Sequence, residues 1–189
     1  MELLFAASAV VGLVAGSIEL YRWLRRRAAY RTPNVDARLL PPELATAAGH
    51  VPVVGFFPAV SHHCHNAGSP VADGDAYQRR AWQSAIDDPG GHVVYGPYVL
   101  LSRDGDYGAW FRLRFTCPAP RDDLGIIRLE AKCDDAIKPR ILRQPDNPGS
   151  YRLYYTSFSY NRGQKVELRV EKLTRADVSV DYTAITGPP

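Results

Sequence analysis

The stretch His92-Val-Val-Tyr-Gly-Pro-Tyr-Val-Leu-Leu-Ser, followed after Arg103-Asp-Gly by Asp106-Tyr-Gly-Ala-Trp-Phe-Arg-Leu-Arg-Phe-Thr, reads as two strands joined by the turn at Ser102-Arg-Asp-Gly. From Tyr107 onward the odd positions Tyr107, Ala109, Phe111, Leu113 and Phe115 are apolar, and the even positions Trp110, Arg112 and Arg114 are polar or amphipathic. A repeat of two is the mark of a strand buried on one side. One face therefore belongs to a core, and the other meets water or a ligand.

Similar runs recur on both sides of this pair: Arg80 to Ala85, Gly125 to Lys132, Tyr151 to Tyr160, Val166 to Leu173 and Val178 to Ile185. Asp-Asp-Pro-Gly-Gly at 87 to 91, Pro145-Asp-Asn-Pro-Gly and Asn161-Arg-Gly supply the breaks between them. Many short strands at this spacing predict an all-β sandwich. Ile127, Leu129 and Ala131 should face inward with Arg128, Glu130 and Lys132 outward. The same reading puts Val166, Leu168 and Val170 inward, with Glu167, Arg169 and Glu171 outward.

The 189 residues have room for one such domain plus an appendage. The net charge of +3 is local: residues 1 to 31 carry Arg22, Arg25, Arg26, Arg27 and Arg31 against Glu2 and Glu19, so the remainder is neutral. A neutral body excludes a nucleic-acid footprint, which needs a basic face on the domain itself. Cys64, Cys117 and Cys133 are odd in number and irregular in spacing, which fits a reducing compartment better than a disulfide framework.

Leu3 to Ile18 is uncharged throughout, and Leu20, Tyr21, Trp23 and Leu24 extend its apolar character past Glu19. The run approaches the roughly 20 residues a bilayer core requires, with Tyr21 and Trp23 placed as an interfacial belt. The positive charges follow the apolar run, whereas in a secretory signal they precede it. The sequence thus predicts a single-pass N-terminal transmembrane helix in a bacterial inner (cytoplasmic) membrane. The N-terminus should lie outside and the β domain in the cytoplasm. Ser8, Gly12 and Gly16, four residues apart, form a small-residue row that would let a partner helix approach closely. The domain plan is an anchor with its basic segment over 1–27, a proline-rich linker and irregular arm over 28–76, and the sandwich over 77–189.

Within the arm, Ser61-His-His-Cys-His-Asn sets His62, His63, Cys64 and His65 side by side, ligand types that suit zinc, nickel or copper. Neighbours in an extended chain point to opposite sides, so only His63 with His65, or His62 with Cys64, converge easily. Two ligands fall short of the four a structural zinc site takes, and the alternative is a polar surface loop closed by Asn66-Ala-Gly-Ser-Pro.

For ligand binding the strongest combination is Trp110 flanked by Arg112 and Arg114, an aromatic platform beside hydrogen-bonding groups. The competing use of that face is cross-strand charge pairing with Arg128, Glu130, Glu167, Arg169 and Glu171. Trp82 reads as a core residue, and the tyrosine-rich strand Tyr151, Tyr154, Tyr155 and Tyr160 as packing or a contact face. Asp104 and Asp181 are the candidates for a structural calcium, without the dense ligand run such a site needs. No phosphate-cradling glycine loop or nucleophile elbow occurs, and none of the histidines His50, His62, His63, His65 and His92 has an identifiable catalytic partner. The expectation is a protein without catalytic activity or cofactor.

Pro89-Gly-Gly-His-Val-Val-Tyr-Gly-Pro-Tyr-Val-Leu-Leu, then Gly105-Asp-Tyr, Phe111-Arg-Leu-Arg-Phe, Val166-Glu-Leu-Arg-Val and Val178-Ser-Val-Asp-Tyr resemble, in order, the carbohydrate-binding-like jelly-roll domains appended to bacterial glycosyltransferases and envelope proteins. The resemblance spans roughly Arg80 to Ile185 and implies a noncatalytic jelly-roll β-sandwich with a sugar ligand. Here a membrane anchor stands where the glycosyltransferase domain would be. Two functions follow as expectations. The first is an accessory or scaffold subunit of a larger membrane complex, with other integral membrane subunits as partners. Its topology is similar to the H subunit of photosynthetic reaction centres, which makes a photosynthetic or respiratory assembly one host. The alternative is a membrane-tethered carbohydrate-binding module acting on envelope polysaccharide or its precursors.

Overall fold

The computed structural model describes residues 30–31, 35–118, 125–134, 136–144 and 147–188. The anchor Leu3 to Ile18 and its row Ser8, Gly12 and Gly16 lie outside the described residues. Among the described residues no helix is long and apolar enough to cross a membrane.

Among the described residues eleven strands are formed: β1 Tyr30–Arg31, β2 Val53–Pro58, β3 Ser69–Ala72, β4 Arg80–Ser84, β5 Gly91–Leu100, β6 Gly105–Thr116, β7 Ile127–Cys133, β8 Ala136–Leu142, β9 Arg152–Tyr160, β10 Val166–Lys172 and β11 Asp177–Thr186. They make two sheets, ordered β1-β5-β10-β7-β8 and β3-β4-β11-β6-β9, with β2 added alongside β11. The all-β sandwich expected from the strand spacing is present. From β4 to β11 the chain changes sheet at every connection except β7 to β8. The turn after β5 therefore carries the chain across the sandwich instead of closing a hairpin. Tyr160 fastens that crossing: its hydroxyl accepts from the Leu101 amide and donates to the Leu101 carbonyl, both at 3.1 Å.

Alternation assigns the inner faces as expected. Phe111, Leu113, Leu129, Val166, Leu168 and Val170 are fully buried between the sheets. Each such side chain contributes roughly 1.5–3 kcal/mol by leaving water. The outward charges need a correction, because a sandwich has two outer faces and alternation cannot tell them apart. Arg128, Glu130, Glu167, Arg169 and Glu171 lie on the sheet opposite Trp110. There they pair across β7 and β10 in register, Glu171 with Arg128 and Arg169 with Glu130. Arg169 also reaches Glu167 at 2.6 Å, and the Tyr98 hydroxyl donates to Glu167 at 3.0 Å. This is the cross-strand pairing the sequence offered as the ordinary use of such residues.

Residues 35–76 depart from the expected linker. Their prolines set helix starts and strand ends: Pro42 opens α1 (Pro42–Ala48), and Pro58 precedes α2 (Ala59–His62). β2 pairs antiparallel with the second half of β11, from Tyr182↔Pro58 to Thr186↔Val53, while β4 pairs with the first half, Val178 to Val180. The two partners meet at Asp181, where β11 carries a bulge against β6. An extra residue flips the alternation. Val178 and Val180 face the main core, whereas Tyr182 and Ala184 join an outer cluster under α1. Leu44 of α1 is fully buried there, with Phe56, Trp110 and Leu153 packed around it. The globular domain therefore includes β2, β3 and α1, and begins well before residue 77.

The bulge also sets the carboxylate of Asp181, 2% exposed, against Arg112 and the Tyr77 amide, which donates to it at 3.0 Å. Arg112 binds Glu43 of α1 at 2.8 Å on its other side. Truncating one member of a buried pair leaves the other charge uncompensated. Asp181→Ala is expected to lower the unfolding free energy of the full-length chain in mild detergent by about 3 kcal/mol. In urea denaturation, adding Arg112→Met should restore more than half of that loss; an additive double variant would show that the pair is not coupled.

Candidate functional site

β6 and β9 pair along their whole shared length, and the register sets Trp110 directly opposite Tyr155. Both point away from the main core, since their neighbours Phe111, Tyr154 and Thr156 are buried. The ring centroids are 4.8 Å apart with the planes at 54°. The Trp110 indole N–H donates to Thr186 Oγ1 at 3.1 Å, which fixes the ring. Tyr155 is 42% exposed and lies over Gly108, where a Cβ would come within 2.6 Å of its ring and 2.5 Å of Thr186 Oγ1. Only glycine leaves space for that ring to lie down on the strand.

These aromatics form the floor of an open cleft of about 540 Å³. Ala47, Ala48, Val51 and Pro52, at and after the end of α1, make one wall. Asp106, Ser157, His50 and Pro188 complete the rim. An aromatic floor with a few polar groups at the edge is the chemistry that holds a ring with one apolar face and peripheral hydroxyls.

Of the three residues the sequence singled out, Trp110 alone reaches this cleft. Arg112 lies beneath the arm, tied to Glu43 and Asp181, and donates to the Asp75 carbonyl at 3.1 Å. Its guanidinium sits 4.5 Å from the Tyr151 ring centroid, and that of Arg114 sits 4.9 Å from the same ring. Arg114 pairs with Asp73 at 2.8 Å, and the Tyr151 hydroxyl donates to the same carboxylate at 2.7 Å. Burial raises the Tyr151 phenol above its ordinary range, helped by the Asp73 carboxylate that its proton bonds. Arg114 also borders a smaller polar cleft of about 340 Å³ with Gln83, Thr116 and Ser179. The sequence alone reads Tyr155 with its strand as packing or contact surface. The signal that isolates it is the alternation Tyr154, Thr156, Phe158, Tyr160 inward, which leaves Tyr155 outward.

The histidine-rich segment is tied into the sheets. Cys64 exchanges backbone hydrogen bonds with Tyr95 at 2.8 and 2.9 Å. His63 is 4% exposed, with Nε2 3.0 Å from Thr183 Oγ1, whereas His65 stacks on Trp82 at 3.4 Å and donates from Nε2 to the Ala59 carbonyl at 2.8 Å. His62 Nδ1 lies 2.8 Å from Ser61 Oγ. The imidazoles go to separate partners, and the loop is not the polar surface loop expected. Among the described residues no group of three or more His, Cys, Asp or Glu side chains is arranged to hold a metal ion. The calcium candidates have other partners: Asp181 takes Arg112, and Asp104 accepts from the Arg162 amide.

No protein-family model matches the chain, and no curated protein matches it in sequence. Solved structures do share its fold. A family 6 carbohydrate-binding module of Cellvibrio mixtus lichenase 5A, in complex with cellotriose, is 10% identical with a TM-score of 0.50, over 73% of this chain and 100% of that one. A family 35 carbohydrate-binding module from an environmental isolate is 11% identical with a TM-score of 0.51, over 70% of this chain and 92% of that one. At such identities the likeness shows the fold, an all-β sandwich of the jelly-roll kind that carbohydrate-binding modules use.

Burial, and less strongly the neighbouring His65 and His62, pushes the His63 imidazole down to about 3. In the unfolded chain it titrates near 6.5. Between these values the unfolded state holds a proton that the folded state refuses, so stability falls as pH drops from about 6.5 toward 3, by about 1.4 kcal/mol per unit. His63→Gln is expected to flatten the slope of unfolding free energy against pH by that amount between pH 6 and 4. An unchanged slope in urea titrations would mean that His63 takes up its proton in the folded protein.

Proposed function

We propose that the β domain is a noncatalytic carbohydrate-binding module whose ligand lies in the cleft floored by Trp110 and Tyr155. The observation that carries this reading is the outward aromatic pair, immobilised on two adjacent strands in an open cleft. Tyr155 keeps 42% of its surface exposed, and a sugar face is a fitting cover for such a ring. The fold supports the reading, because two solved proteins that share it are carbohydrate-binding modules, one of them in complex with cellotriose. Of the two functions expected from the sequence, the cleft favours the tethered module over the accessory subunit.

The tether itself is carried by the apolar run Leu3 to Ile18 and the arginines that follow it. By the positive-inside rule the cleft would face the cytoplasm, so its ligand would be an envelope polysaccharide precursor rather than finished polymer. A cysteine reporter placed after Pro189 should then react with an impermeant thiol reagent only after spheroplasts are opened. Labelling of intact spheroplasts would place the domain on the outer side.

Tyr155→Ala separates binding from folding. The ring is 42% exposed and its main partner is Trp110, so the unfolding free energy should fall by only about 1 kcal/mol and the chain should stay folded. Retention on a glycan array should fall at least about tenfold, the weight of one lost aromatic contact of about 1.4 kcal/mol. Undiminished glycan binding by this variant would remove the cleft as the site. Trp110→Ala is a poorer probe, because Trp110 also packs in the Leu44 cluster and its loss should destabilise the arm.

A further inference from the structure

Resting on that reading, we infer that the cleft takes uncharged glycan segments and rejects acidic ones. Asp106 lines the cleft, and among the described residues no lysine or arginine does. The Asp106 carboxylate is exposed, with one oxygen accepting from Ser159 Oγ at 2.7 Å. The two arginines nearest along β6 have no charge to offer a ligand. Arg112 is shared between Glu43 and Asp181, and Arg114 is held by Asp73 with Asp75 4.0 Å away. In this cluster and at the cleft rim, five carboxylates (Glu43, Asp73, Asp75, Asp106 and Asp181) stand against the two guanidiniums of Arg112 and Arg114. Arg140 donates to the Tyr155 carbonyl at 2.7 Å, but it comes from β8 of the other sheet and is not part of the lining. A uronate or phosphate entering the cleft would lose solvent beside carboxylates and find no cationic partner among the described lining residues. A neutral sugar meets apolar rings and hydroxyl partners, and is indifferent to those charges.

The test compares neutral hexose oligosaccharides with the same oligosaccharides oxidised at C6 to uronates, on the full-length chain in mild detergent. The assay is run at pH 8 throughout. The neutral form is expected to bind at least about tenfold more tightly at low salt, with the gap narrowing as added salt screens the field. Tyr155→Ala should weaken the neutral binding at least about tenfold. Equal or tighter binding of the uronate overturns the inference while leaving carbohydrate binding intact, as would neutral binding undiminished by Tyr155→Ala. Failure to bind either form, or any glycan on a broad array, overturns the carbohydrate reading itself and this inference with it.

Discussion

The outer face of the second sheet is organised by one buried ion pair, Arg112 with Asp181, formed at the bulge of β11. A central strand that changes partner halfway needs an irregularity at the change. The extra residue supplies it and leaves an acidic side chain where the alternation would otherwise continue. Burial pushes the Asp181 carboxyl above its ordinary range, against the opposing pull of the Tyr77 amide and Arg112. A carboxylate so placed is tolerable only with its cation in contact, and the cation in turn draws in Glu43 and with it α1. Arm, bulge and strand β6 are therefore one electrostatic unit. The Tyr77 hydroxyl adds a tie to the Leu39 carbonyl on the same side.

That unit explains which parts of the fold were legible in the sequence. Period-two alternation depends on nearest neighbours along one strand, so the inward residues of β6, β7 and β10 could be read directly. Membership of a sheet depends on pairings between strands far apart in the chain, and leaves no trace in the alternation. Hence the charged ladder of β7 and β10 was placed beside Trp110, when the sandwich puts it on the opposite face. In β11 the sequence Val178-Ser-Val-Asp-Tyr-Thr-Ala-Ile shows apolar residues first at even positions and then on both parities. That mixture is the bulge, readable in hindsight because Tyr182 and Ala184 have a second apolar cluster to enter.

The arm was obscured for a different reason. Proline and glycine mark breaks, and a proline-dense stretch reads as a linker when nothing shows what it packs against. Here the same prolines lie at element ends, so the segment packs as short pieces: a helix laid on the sheet by Leu44, a strand added to β11, and the histidine segment bridged to Tyr95. His63 occupies an apolar position, neutral and facing Thr183, which residue type alone does not reveal. The site was half legible. Trp110 stood out as an aromatic on a polar face, while Tyr155 was one tyrosine among several until β9 was paired in register with β6.

The cleft owes its rigidity to these same constraints. Tyr155 lies on a strand over Gly108, Trp110 is pinned by Thr186, and the wall formed after α1 is held to the sheet through Leu44 and the Glu43–Arg112 pair. Each group is fixed by contacts that exist without a ligand, so little rotamer freedom remains to be lost on binding. The arginines that looked like ligand groups in the sequence act one step removed, by holding the wall in place. Their charge is consumed in that task, which is why the cleft they support is apolar and bordered by carboxylate.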